Sequence, residues 1–254
     1  MQMAKLKKPL IFSLSLLPIA VVAGVFVGIY QLDLLPQALM AEVLAQVGSK
    51  ELLLVIVAAQ TVGYALFCGF FGCLLANTIG LWKPLKFERK SLLITLVLSL
   101  VGGILFSLDH WVFGSFIDGI QQANRQALNP SSIIAMVLYG GIIEEVMLRL
   151  FFMTLIAFAV WKLFFRKRTA QSIPTGVFVA ANVIAAGLFA AGHLPATLLT
   201  FGELTPLLLV RCFVYNGGFG LLFGWLYRKH GIHYAIVSHA LLHIVSKLIW
   251  LLFL

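Results

Sequence analysis

Apolar residues run along this chain in long blocks, separated by short clusters of charged and turn-forming residues. A bilayer core about 30 Å thick takes roughly 20 apolar residues in a helix. Seven blocks meet that length: Pro9–Tyr30, Leu52–Leu81, Leu92–Leu108, Ser131–Val160, Gly176–Leu194, Leu207–Tyr227 and His233–Leu254. The pattern predicts an all-α, polytopic transmembrane bundle. The first block is longer than the apolar region of a secretory signal, and no small-x-small cleavage site follows it, so it reads as an anchor. In the connection Gln31–Lys50, residues Leu34, Leu35, Leu39, Met40, Val43 and Leu44 come close to helical spacing, which predicts a helix lying at the membrane surface. Asp109–Pro130 carries Trp111 and Phe113 and then a largely polar run through Gln121, Gln122, Asn124 and Gln126, and is expected as a solvated loop. No internal repeat or polar linker divides the chain. One continuous membrane domain is expected, with three spans in residues 1–130 and four in 131–254.

Composition closes off the alternatives. Of 254 residues 61% are hydrophobic and 11% charged, with a mean hydropathy of +1.04. A soluble domain carries about a quarter of its residues as charges, so soluble enzymes, disordered proteins and secreted disulfide scaffolds are excluded. Cys68, Cys73 and Cys212 lie inside apolar runs without metal-ligand spacing and read as small core residues.

The net charge of +9 takes its meaning from position. If the N-terminus is cytoplasmic, that side holds Lys5, Lys7 and Lys8, then Lys83, Lys86, Arg89 and Lys90, then Lys162, Arg166, Lys167 and Arg168, then Arg228 and Lys229. The opposite side holds Lys50 and Arg125, while Arg149, Arg211 and Lys247 fall within spans. The alternation predicts an N-in, C-out topology. It also argues against nucleic acid, because the cations are divided among helix ends where anionic lipid headgroups attract them.

Ionisable groups in the hydrocarbon region mark function unless they are paired or snorkel. The fourth block holds Glu144, Glu145 and Arg149. Glu145 and Arg149 are four apart with the acid first, and can neutralise each other. Glu144 points about 100° away and lacks a local counter-ion. Gly140 and Gly141 before it let another helix or a substrate backbone come close. The fifth block supplies Phe189-Ala-Ala-Gly-His193, and the seventh supplies His239 and His243 on one face, then Lys247. Two imidazoles so spaced suit one metal or one oxyanion. Lys247 and Arg211 are expected to snorkel outward. The glycines from Gly217 to Gly224 read as close helix packing, and Gln60 as a bond to a neighbouring helix.

Glu144-Glu145-x-x-x-Arg149, Phe189-x-x-x-His193 and His239-x-x-x-His243, in that order and in separate apolar blocks, resemble the CPBP family of CAAX prenyl endopeptidases and bacteriocin-processing or immunity proteins. The similarity covers roughly residues 131–250. It implies an intramembrane endopeptidase in which Glu144 and His193 activate water, and His239 and His243 complete the site. Its substrates would be membrane-associated or prenylated proteins, or peptide precursors. Glu145, Arg149 and Phe189 would support the site. The family has Asn or Asp where this chain has His243. That departure opens a second option, Zn²⁺ held by His193, His239 and His243 with Glu144 as base. It is not the His-Glu-x-x-His signature, because Ala240 stands where Glu would be needed. The expected location is a bacterial plasma membrane. A transporter or non-proteolytic scaffold, using the same acid and histidines for proton relay or partner binding, is the competing reading, but no paired inverted halves with matching broken helices support it.

Overall fold

A computed structural model describes residues 2–254, without the side chains of residues 2–5 and Ala38; Lys5, counted above among the cytoplasmic cations, falls outside the described side chains. In chain order the helices are α1 (Gln2–Ser15), α2 (Leu17–Leu34), α3 (Gln37–Val47), α4 (Lys50–Thr78), α5 (Arg89–Ser107), α6 (Ile120–Gln126), α7 (Pro130–Phe164), α8 (Thr175–Gly192), α9 (Leu194–Phe201), α10 (Pro206–His230) and α11 (Ile232–Phe253). No strand occurs among the described residues.

Seven segments are long and apolar enough to cross a membrane, and only 28% to 39% of each is buried inside the protein. Their outward faces carry Val55, Phe67, Val97, Val183 and Leu248, all exposed. Only lipid can cover so much apolar surface, and the protein is an integral, multi-pass membrane protein. The helices start where local chemistry satisfies their free N–H groups. The Ser49 hydroxyl accepts from the Leu52 amide at 3.1 Å to open α4, and Asn129 accepts from the Ser131 amide at 3.2 Å ahead of Pro130 to open α7. Gly231 joins α10 to α11 at φ +116, a conformation that favours glycine.

Three features differ from the sequence expectation. The first block is interrupted at Leu16, and its crossing segment is Leu17–Leu34, beginning with Pro18 in its first turn. The fifth block breaks at His193 and continues as α9 through Pro195, whose ring suits a helix start and not its interior. The middle of α7 is wound as π-helix over Met136–Glu144 and Val146–Met153.

α7 is the hub of the bundle. It packs against α2, α4, α8, α10 and α11, while α11 lies along α5. The contact with α11 is at backbone distance: a Cβ on Gly141 would meet the Ala240 Cα at 2.9 Å. Between α7 and α8 the chain turns through Phe165–Pro174, where Arg166, Lys167, Arg168 and Thr169 are exposed.

Candidate active site

The π-wound middle of α7 carries both acids. Such windings are rare and recur at functional sites, and here the winding faces α8 and α11, which carry the histidines. Glu145 is fully buried, and its Oε1 lies 3.1 Å from an Arg149 nitrogen and 2.9 Å from His239 Nδ1. An ionised carboxylate only accepts, so the His239 Nδ1–H donates to it and leaves Nε2 facing away. Arg149 is buried between rings, 4.5 Å from the centre of Phe189 and 5.4 Å from that of Phe223. Gly220 on α10 makes room for it, since a Cβ there would lie 3.2 Å from the guanidinium. One acid thereby ties α7 to α11, and its cation is held by α8 and α10.

Glu144 has a different environment. It is partly buried, and no ion pair reaches it among the described residues. It folds back over Gly140. A methyl group on Gly140 would sit 3.8 Å from Glu144 Oε2 and 3.3 Å from His243 Nε2. The same His243 Nε2 is 3.2 Å from His239 Nε2, and the His239 ring stacks on Phe223 at 4.4 Å. The missing side chain of Gly140 thus leaves a small space onto which an acid and an imidazole converge.

His193 sits at the break between α8 and α9. Its Nδ1 is 2.8 Å from the Phe189 carbonyl oxygen and donates to it, which leaves Nε2 as a free lone pair. The Phe189 ring lies edge-on to both imidazoles, 4.7 Å from His193 and 5.9 Å from His239. His193 therefore flanks the other histidines across a phenyl ring. Among the described residues no three His, Cys, Asp or Glu side chains are grouped to hold a metal ion. His239 and His243 turn toward each other, and the Phe189 ring lies edge-on to both His239 and His193.

Several polar residues behave differently from their sequence reading. Lys247 does not snorkel. It is 3% exposed, with its ammonium 3.8 Å from the centre of the Trp250 ring and 5.3 Å from that of Phe106. Arg211 does not snorkel either, because two of its nitrogens grip both oxygens of Asp109 at 2.7 Å. Asp109, His110, Ile120 and Asn124 are buried and tie the connection to the bundle, while Gln121, Gln122 and Gln126 of its polar run are exposed as expected. Gln60 bonds Tyr64 on its own helix at 2.7 Å, not a neighbouring one. The first three spans, featureless in sequence, supply Phe106, whose ring lies 5.8 Å from that of His243.

Residues 126–245 match the family model described as Type II CAAX prenyl endopeptidase Rce1-like. This stretch, just under half of the chain, is similar to CAAX-protease domains. No curated protein and no solved structure matches the chain. The matched stretch spans every acid, histidine and arginine of the cluster from Glu144 to His243, whereas Phe106 and Lys247 lie outside it. Two apolar grooves, one beside Lys8 and Trp82 and one between Val183 and Leu221, include none of these residues.

Proposed function

We propose that this protein is an intramembrane endopeptidase in which Glu144 activates water against a peptide bond of a membrane-associated or prenylated protein, or of a peptide precursor. The observation that carries the reading is the convergence of Glu144 Oε2 and His243 Nε2 on the space above Gly140. An acid without a counter-ion, beside an imidazole and open to a small void, suits a general base that must gain and release one proton. Glu144 takes a proton from water, and the hydroxide formed adds to the peptide carbonyl carbon. The tetrahedral intermediate collapses when the same carboxyl returns its proton to the leaving amine. His193, with its Nε2 lone pair free, orients the water. The His243 Nε2–H, which rests on His239 Nε2, turns from it to donate to the oxyanion, and Glu145 fixes the His239 tautomer.

The distribution of lysine and arginine supports a cytoplasmic N-terminus. Along α11 a cytoplasmic substrate then meets His239, His243 and Lys247 in that order.

The test compares membrane proteomes of cells carrying the wild type and Glu144→Gln. New protein termini should appear only with the wild type, and identical sets of termini in both would overturn the reading.

A further inference from the structure

Between α1 and the connection from α4 to α5 lies a groove of about 410 Å³, with Lys7 and Lys8 at one end and Ile11, Phe12, Trp82 and Leu85 as apolar walls. The walls are fixed. The Trp82 amide donates to the Ala76 carbonyl at 3.1 Å where the chain leaves α4, and the Trp82 ring meets that of Phe12 edge-on at 5.0 Å. Lys8 is pinned across the mouth, its ammonium 3.2 Å from Asn77 Oδ1 and 5.7 Å from the centre of the Trp82 ring. The Asn77 amide nitrogen donates to the Cys73 carbonyl at 2.7 Å, which aims its oxygen at the lysine. An amide and a ring orient a cation but leave its charge unmatched. Neither Lys7 nor Lys8 forms an ion pair among the described residues. The first acid in the chain is Asp33, and the stretch after α4 sets Lys83, Lys86, Arg89 and Lys90 against the single acid Glu88.

A soluble anion would need only the lysines, and a bare hydrocarbon only the walls. Here both are ordered along α1 from Lys7 to Ser15, a rise of about 12 Å. The far end offers no free donor, because the Ser15 hydroxyl donates to the Phe12 carbonyl at 2.7 Å. Depth agrees with that order. α1 leads through Leu16 into the crossing segment of α2, so the lysines lie outermost and Ile11 and Phe12 deeper, as phosphate and acyl chain do in a leaflet. We propose that this groove holds one anionic glycerophospholipid, its phosphate between Lys7 and Lys8 and one acyl chain along Ile11, Phe12 and Leu85. Basic clusters at helix ends attract anionic lipid diffusely; this one differs because an aromatic wall and Asn77 fix where its ammonium stands. None of the acids or histidines of the candidate active site lines the groove, and the proposal is independent of the proteolytic reading. α1 packs on α4, and a lipid seated between α1 and Trp82 gives it a second hold on the bundle.

The test is native mass spectrometry of the detergent-solubilised full chain, offered phosphatidylglycerol and phosphatidylcholine with the same acyl chains. Each lysine beside an anionic headgroup is worth roughly fivefold in affinity. One phosphatidylglycerol should therefore stay bound, about 10- to 30-fold more tightly than phosphatidylcholine. Lys7→Gln combined with Lys8→Gln should erase this preference. Arg166→Gln combined with Lys167→Gln removes the same charge from the exposed turn between α7 and α8 and should preserve it. Equal retention of the two lipids by the wild type, or retention of neither, overturns the proposal, and this comparison needs no variant to fold. Equal loss of preference in both double variants would also overturn it, by showing attraction to charge without a site. Displacement of the lipid by millimolar inorganic phosphate would do the same, since an ion site has no use for the groove.

Discussion

Glu144 and Glu145 are adjacent in sequence and opposite in circumstance. Glu145 shares one oxygen between Arg149 and His239, whereas Glu144 lies over Gly140 beside His243 with no ion-pair partner among the described residues. Removing one member of a buried ion pair strands the other at a cost of about 3–5 kcal/mol. Glu145→Gln and Arg149→Ala should therefore lower both folded yield and activity. Glu144→Gln should abolish turnover and leave the yield of monodisperse protein at the wild-type level. Size-exclusion profiles beside a peptide-cleavage assay check this, and equal losses of folded protein in all three variants would contradict it. His243 gives a second prediction. If its part is to donate a hydrogen bond, His243→Asn should retain activity within about tenfold, while His243→Ala should lose about 10²–10³ in kcat. The same assay decides.

At the scale of elements, the approach of α7 to α11 sets the site. Gly141 lies against the Ala240 backbone, which cannot move aside without moving the helix. Gly141→Val should unfold the contact and lower the thermal midpoint in detergent by many degrees. Gly187 on α8 is the control, because a Cβ there meets nothing within 4 Å. Gly187→Ala should leave activity intact and stabilise by about 0.5–1 kcal/mol, the helix preference of Ala over Gly. The helices themselves were legible in the hydrophobic blocks, since lipid selects apolar runs whatever their partners, and the Glu145–Arg149 pair was legible because both ends lie on one turn. Three things were not. The π-winding of α7 leaves no trace in the spacing of apolar residues. Arg211 and Asp109 are 102 residues apart, and only the folded connection after α5 brings them together. The Lys247 cage uses a neutral ring from α5, which no charge pattern announces, although a cation within a span was itself a signal.

For the molecule as a whole, the positive clusters predict the topology. The three cysteines are buried and unbridged, so replacing them should be tolerated and single new cysteines can report sidedness. With the N-terminus inside, a cysteine at Lys167 should react with an impermeant maleimide only after the membrane is opened, and one at Arg125 should react in intact cells. The opposite pattern would invert the topology and with it the direction from which substrate reaches His239.

The exposed turn from Phe165 to Pro174 divides the candidate catalytic constellation between two stretches of chain. Glu144, Glu145 and Arg149 precede it, and His193, His239 and His243 follow. Helices that span lipid hold their own backbone bonds and associate afterwards through side-chain packing. The bond between Glu145 and His239, the seat of Ala240 against Gly141 and the clasp of Arg149 by Phe189 and Phe223 all cross this divide without using the covalent link. Severing the polypeptide at Lys167 and co-expressing the two pieces should therefore yield a non-covalent complex that co-purifies. Neither fragment by itself would possess a complete set of proton-handling groups, so enzymatic competence would be a property of their reunion.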